Sequence, residues 1–350
     1  MYNIAKAPQQ DREILFLNTA AKIGVNAAII EKDFWVCLSL HYLFHESKWK
    51  NSFAFKGGTS LSKGYGLIER FSEDVDLILD WRVLGYSVLE PWKDRSATKQ
   101  QKYTEEMNHR LQDFLEFEFI PDFQKHFSIL IDEPVSVYLS KDDPGTVKLK
   151  YPRSYDEESI LQEIRLEIGA LAAWTPTKMM EIQSYAAECY PDIFVQKTAM
   201  ILTTTSTRTF WEKATILHQE AMRPGTSMIP SRYSRHYYDL YCMTKKGELI
   251  KALENLDLLN QVVDFKMKFY PRGWARYELA RAGSLKLVPP QHCLASLRVD
   301  YEKMRAMIYG VYPDFEEMMD ELNALERIIN TVIMEKENVQ DLDSKYIRGW

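Results

Sequence analysis

Cysteine is scarce in this 350-residue chain and never clustered: Cys37, Cys189, Cys242 and Cys293 lie far apart. That spacing argues against a disulfide framework and against a structural zinc site. Long apolar runs are missing too, and none approaches the roughly 20 residues that span a bilayer. The opening "MYNIAKAPQQDREILFL" lacks a basic segment followed by an apolar one, so no secretory signal is expected. A cytoplasmic protein without membrane contact is the resulting expectation. Two phosphate-binding signatures are absent: no strand runs into Gly-x-x-x-x-Gly-Lys-Ser/Thr, and there is no Gly-x-Gly-x-x-Gly. Positive charge is not in excess either, with 44 Lys and Arg against 50 Asp and Glu and a net charge of −6. Indiscriminate nucleic-acid binding by the whole surface is thereby excluded, although a local basic patch is not.

What remains is an ordinary globular composition, 46% hydrophobic and 27% charged, on a chain long enough for two domains. Residues 11 to 46 read as helices, with Ile14, Leu15 and Leu17 and then Phe34, Trp35, Leu38 and Leu40 at helical spacing. "FAFK" (53 to 56) predicts a short strand, "LSKGYGLIERF" a helix with a flexible middle, and "VDLIL" the next strand. Residues 100 to 127 predict amphipathic helix. "FSILIDEPVSVYLS" (127 to 140), "GTVKLKYP" (145 to 152) and "LQEIRLEIGAL" (161 to 171) alternate with period two, as strands do. Beyond about residue 195 nearly everything reads as helix. The expected class is α+β: a mixed β-sheet core with flanking helices in residues 1–175, then a mainly helical domain in 176–350.

The stretch "KGGTSLSKGYGLIERFSEDVDLIL" (56 to 79) concentrates the chemistry. Asp74 and Asp76 alternate on a strand, so both side chains leave one face while Val75, Leu77 and Leu79 leave the other. Two carboxylates so close repel each other unless a cation sits between them, which favours a hard divalent ion such as Mg²⁺ or Mn²⁺. Gly57-Gly58 lets backbone approach closely, and Thr59 and Ser60 at a helix start offer N–H and hydroxyl donors to an anion. Lys63 joins these four as a nucleotide-binding candidate. A nucleoside triphosphate in the glycine turn, with its metal on the two aspartates, accounts for both halves of the stretch. Separately, "DFKMKFYPRGWARYELARAGSLK" (264 to 286) interleaves Lys266, Lys268, Arg272 and Arg276 with Phe269, Tyr270, Trp274 and Tyr277. Such a segment can hold a phosphate backbone and stack bases; a helix with a solvated basic face and aromatics in the core is the plainer reading.

The order strand, Gly-Gly-x-Ser, helix, acidic pair on the next strand resembles the DNA polymerase β-like nucleotidyltransferases. That resemblance implies a third carboxylate from a later strand. "QEIRLEIGA" puts Glu163, Arg165 and Glu167 on one strand face, and Glu167 is the favoured third acid. "IIEKDFWV" (29 to 36), "RTFWEKATILHQ" (208 to 219) and "YSRHYYDLYCM" (233 to 243), with the glycine-acid stretch, narrow the likeness to the AbiEii/AbiGii toxin family. The resemblance implies phosphate contacts from Gly57, Gly58, Ser60 and Lys213, metal contacts from Asp74 and Asp76, and a last-motif role for Asp239. His236 stands where several relatives carry an acid. Taken alone, Lys213 reads equally well as a solvent-facing lysine on an amphipathic helix and Asp239 as paired to Arg235 one turn away; His236 reads as a general base or, more plainly, as a helix-packing side chain. The family implies a toxin that transfers a nucleotide to RNA, with the tRNA 3′ end as its target, and is neutralised by a separate antitoxin protein. Transfer to a protein side chain and non-catalytic nucleotide or RNA binding remain alternatives.

Overall fold

The structure, a computed structural model, describes residues 1–72, 74–155, 161–171 and 176–346, with side chains as far as residue 332. The chain divides into two compact units, Met1–Gly66 with Arg70–Thr205, and Leu67–Glu69 with Ser206–Trp350.

The first unit opens with helices α1 (Tyr2–Ala5), α2 (Gln9–Ile23) and α3 (Ala27–His41). Strand β1 (Phe53–Lys56) runs directly into α4 (Gly57–Lys63), and β2 (Asp74–Leu79) follows. Helices α5 (Ala97–Phe114) and α6 (Ile120–Ile131) lead to β3 (Ser136–Leu139), β4 (Thr146–Lys150), β5 (Ile164–Gly169) and β6 (Thr177–Gln183). The short α7 (Tyr185–Cys189) and β7 (Thr198–Thr204) complete the unit. The expected mixed sheet is present: seven strands in the order β3-β4-β5-β2-β1-β7-β6, with β2 parallel to β5 and antiparallel to β1. Val75, Leu77 and Leu79 of β2 and Ile164, Leu166 and Ile168 of β5 are all buried, as their alternation required.

Three expectations need correcting. Residues 127 to 131 belong to α6, not to a strand; Phe123, Phe127 and Ile131 recur on its buried face, and Asp132 ends the helix at φ 60°. The helix expected over "LSKGYGLIERF" stops at Lys63, because Gly64 and Gly66 follow and Gly66 adopts φ 60°. On α2, Leu15 and Phe16 are buried but Ile14 and Leu17 are more than half exposed, so the apolar stripe is narrower than spacing suggested. The boundary expected at 175/176 abuts residues 172–175, outside the described residues. By contacts the first unit includes β6 and β7 as far as Thr205; these two strands pair along seven residues, and β7 joins the sheet beside β1.

The "EKD" triplet of α3 stitches this unit together. The Glu31 carboxylate accepts the Ser154 and Tyr155 amides at 2.7 and 3.3 Å; burial pushes it up to about 7 even so, against those amides and Arg12. The Lys32 ammonium donates to the Leu161 carbonyl at 2.5 Å. Asp33 lies 2.9 Å from the Lys63 ammonium and accepts the Tyr185 amide at 2.7 Å. Burial opposes the Lys63 charge, yet Asp33, Cys37 and Glu188 together hold it above its ordinary pKa. Breaking such a pair from one side strands a charge in the interior. Asp33→Asn is expected to cost about 2 kcal/mol, since the amide keeps an oxygen for Lys63 but no charge. Urea unfolding of Asp33→Asn beside Asp33→Asn, Lys63→Met checks this, and a double variant no more stable than the single would refute it.

The second unit consists mainly of helices: α8 (Ser206–Ala221), α9 (Ser234–Lys245), α10 (Glu248–Glu254), α11 (Leu256–Phe269), α12 (Gln291–Lys303) and α13 (Phe315–Tyr346). Tyr237, Leu240, Val262, Leu297, Leu322 and Ile329 form part of its core. Among the described residues no single helix is long and apolar enough to cross a membrane.

Candidate active site

β2 and β5 lie side by side with Asp74 opposite Arg165 and Asp76 opposite Glu167. Residues paired across adjacent strands project from the same face, so the alternating acids of two distant segments meet on one surface. Asp74 is buried, whereas Asp76 and Glu167 are partly exposed. Arg165 reaches among them: its Nε is 3.7 Å from an Asp74 carboxylate oxygen, and its Nη2 is 3.3 Å from Glu167.

The glycine turn closes against this surface. Gly57 takes φ 77°, and a Cβ there would land on the Asp76 carboxylate, far inside van der Waals contact. Gly58 is restricted differently: its Cβ would stand 2.8 Å from an Arg70 nitrogen and 3.0 Å from the Ser72 hydroxyl. Gly57 is therefore demanded by close approach and by its backbone angle, while at Gly58 a methyl would press on the end of the Arg70 side chain. The Thr59 hydroxyl donates to the Asp74 carbonyl, tying α4 to β2. The Ser60 hydroxyl donates to the Gly57 carbonyl at 2.7 Å, which holds the turn itself. Lys63, at the other end of α4, is engaged inside the unit with Asp33 and lies 3.5 Å from the Tyr185 ring centroid.

Glu163, immediately before β5, is committed elsewhere. It accepts the Tyr138 hydroxyl at 2.5 Å and pairs with Lys148 at 2.8 Å. Burial works to raise its pKa, but those two partners prevail and hold it below the usual carboxylate value. Glu167 is thus the β5 acid beside Asp76.

Among the described residues no three acidic, histidine or cysteine side chains are set close enough to hold a metal ion as they stand. The donor chemistry nonetheless suits a hard divalent cation: Asp74, Asp76 and Glu167 offer carboxylate oxygens on two neighbouring strands, and a cationic group already lies among them.

In the second unit, Lys213 of α8 and Asp239 of α9 are brought together. Their charged groups lie 2.8 Å apart, with Asp239 fully buried. The Lys213 ammonium also lies 3.1 Å from His236 Nδ1, which accepts because an ammonium can only donate. The Asp239 carboxylate is therefore held across two helices by Lys213, and Lys213 itself is buried where the sequence alone allowed a solvent-facing lysine.

The basic-aromatic stretch is not one helix. α11 ends at Phe269, and short 3₁₀ turns follow at Gly273–Ala275 and Tyr277–Leu279 on either side of Arg276, whose φ is 48°. Phe269 and Tyr277 are buried, while Tyr270 and Arg272 are exposed. Arg276 pairs with Glu278 and Arg281 with Asp264, so part of the local positive charge is neutralised at home. Lys266 lies 5.5 Å from the Tyr277 ring and Arg272 lies 6.0 Å from that of Trp274.

Sequence reasoning passed over Arg165. Its position between two acids on an alternating strand was visible, but nothing local distinguishes a spanning guanidinium from a solvated one.

Comparison with known proteins follows from this geometry. A family model described as nucleotidyl transferase AbiEii toxin, type IV TA system, matches residues 41–321. Among solved structures the chain is similar to MenT4, the nucleotidyltransferase toxin Rv2826c from Mycobacterium tuberculosis H37Rv. The identity is 14% and the TM-score 0.41, over 90% of this chain and 98% of that one. No curated protein gives a significant match. The matched residues run from the end of α3 through both units, including the glycine turn and the acids of β2 and β5, and the chain belongs to the AbiEii nucleotidyltransferase toxins of type IV toxin–antitoxin systems.

Proposed function

We propose that this toxin is a metal-dependent enzyme that transfers a nucleoside monophosphate from an NTP to an RNA acceptor, the tRNA 3′ end, in the cytoplasm. A separate antitoxin protein would restrain it. The observation that carries the reading is the register of β2 with β5, which sets Asp76 beside Glu167 with Asp74 on the same face.

Asp74, Asp76 and Glu167 would hold the cation. Bound there, Mg²⁺ or Mn²⁺ supplies neutralising charge to the phosphates and makes the acceptor hydroxyl more acidic. The acceptor oxygen attacks the α-phosphorus, the bond to the bridging oxygen breaks, and pyrophosphate leaves. One of the three carboxylates takes the hydroxyl proton. Gly57 and Gly58 are assigned to the triphosphate through their backbone, while Thr59 and Ser60 fix the turn through their hydroxyl bonds. Lys213, oriented by Asp239 and His236, is assigned to the nucleotide phosphates. Lys266, Lys268, Arg272 and Arg276 are assigned to the acceptor RNA. Catalysis of this kind is mostly positioning and charge stabilisation.

The test incubates the purified chain with Mg²⁺, total tRNA and each α-labelled NTP in turn, beside the Asp74→Ala, Asp76→Ala variant. Label in the tRNA band, lost in the variant, is expected. Label in a protein band would replace the acceptor, and bound NTP with no covalent product would overturn the transfer reading.

A further inference from the structure

Arg165 occupies a place that the chemistry reserves for something else. It stands opposite Asp74 in the β2·β5 register and two residues from Glu167 on its own strand. One guanidinium faces both carboxylates, with Nε 3.7 Å from Asp74 and Nη2 3.3 Å from Glu167. Its side chain is 26% exposed against 7% for Asp74, so the contact is shielded on one side and open to solvent on the other. Electrostatics favours some cation here, because the register brings three acids onto one face. At these distances the contact to Asp74 is an ion pair, and a second positive group brought to the same carboxylates is repelled by the first.

We propose that Arg165 is the internal counter-ion of the acidic face: it holds Asp74 and Glu167 while no divalent cation is bound and must release them for one to enter. The inference rests on the metal role proposed above and adds to it a residue that role does not name. Its effects have opposite signs. Removing the guanidinium takes one positive group off the metal-free face, which lowers stability, but leaves the carboxylates more attractive to a cation. The displaced guanidinium, a planar group with a fork of donors, is suited to phosphate oxygens. A nucleotide arriving with its own cation is therefore favoured over the cation alone.

The test uses the full chain and Mn²⁺ without nucleotide, with free Mn²⁺ followed by electron paramagnetic resonance and melting followed in EDTA and in Mn²⁺. Arg165→Gln is expected to bind Mn²⁺ about tenfold more tightly than wild type. It should also melt lower in EDTA and gain more from added Mn²⁺, with Arg165→Lys close to wild type. Circular dichroism reports whether each variant is folded. If Arg165→Gln binds Mn²⁺ no better than wild type, while Asp76→Asn abolishes binding in both, the counter-ion role is wrong and the metal site stands. If neither wild type nor Arg165→Gln binds Mn²⁺ at these acids, the metal reading falls and this inference with it.

Discussion

Asp76→Asn is expected to lower nucleotidyl transfer about a hundred- to a thousandfold, the range lost when a preorganised charge-stabilising group is removed. Asn keeps the size and one oxygen of the side chain but not the charge. The position is partly exposed on β2, beside Glu167 in the neighbouring strand and against the backbone of Gly57. Loss of charge there removes a third of the acidic set without opening a cavity. The variant should still fold, because Asn keeps the shape of the side chain and the change relieves the repulsion among the three acids. Initial rates with labelled NTP, read beside a thermal melt, separate the two effects. A variant that retains a tenth of the activity or more would remove Asp76 from the reaction, whatever its stability.

Gly57→Ala carries the largest expected stability effect. A left-handed backbone costs a non-glycine residue about 1–2 kcal/mol, and Gly57 sits at φ 77°. The added methyl must also displace the Asp76 carboxylate, so the total is expected near 4 kcal/mol, in the range that marks a specific steric conflict. Whatever fraction folds should transfer poorly, since the acid that moves aside is the one placed beside Glu167. Gly66→Ala is the contrast: φ is 60° but nothing lies within 4 Å of a Cβ, so backbone strain acts alone. In an Asp76→Ala background the cost of Gly57→Ala should shrink by about 1–2 kcal/mol, because the carboxylate no longer stands in the way. Equal costs for Gly57→Ala with and without Asp76 would show that the turn and the acid are independent.

Both predictions concern a stretch whose chemistry is visible in the order of its residues. Alternation of Asp74 and Asp76 with Val75, Leu77 and Leu79 assigns each side chain to a face before any partner is known, since a strand has no other way to present them. The same reasoning works for β5, where Ile164, Leu166 and Ile168 are buried and Arg165 and Glu167 alternate with them. Period alone was weaker elsewhere. "FSILI" fits a strand or the end of a helix, and the helix already running from Ile120 settles it. "TAMILTT" was read as part of a helical region, yet it forms β7 because β1 and β6 offer edges to pair with; sequence carries no record of an available edge.

The sequence by itself determined the mixed sheet, the acidic strand and the glycine turn before it, because backbone stereochemistry and strand alternation act over a few neighbouring residues. Tertiary structure alone decided that Glu167 stands beside Asp76 by the β2·β5 register, and that Glu163 is taken up by Tyr138 and Lys148. It decided that Lys63 serves Asp33 in the interior, and that Asp239 answers to Lys213 across two helices. It also put Arg165 between Asp74 and Glu167. Each of these choices is made by charges far apart in the chain, and Coulomb attraction depends on distance in space, which only the folded chain sets.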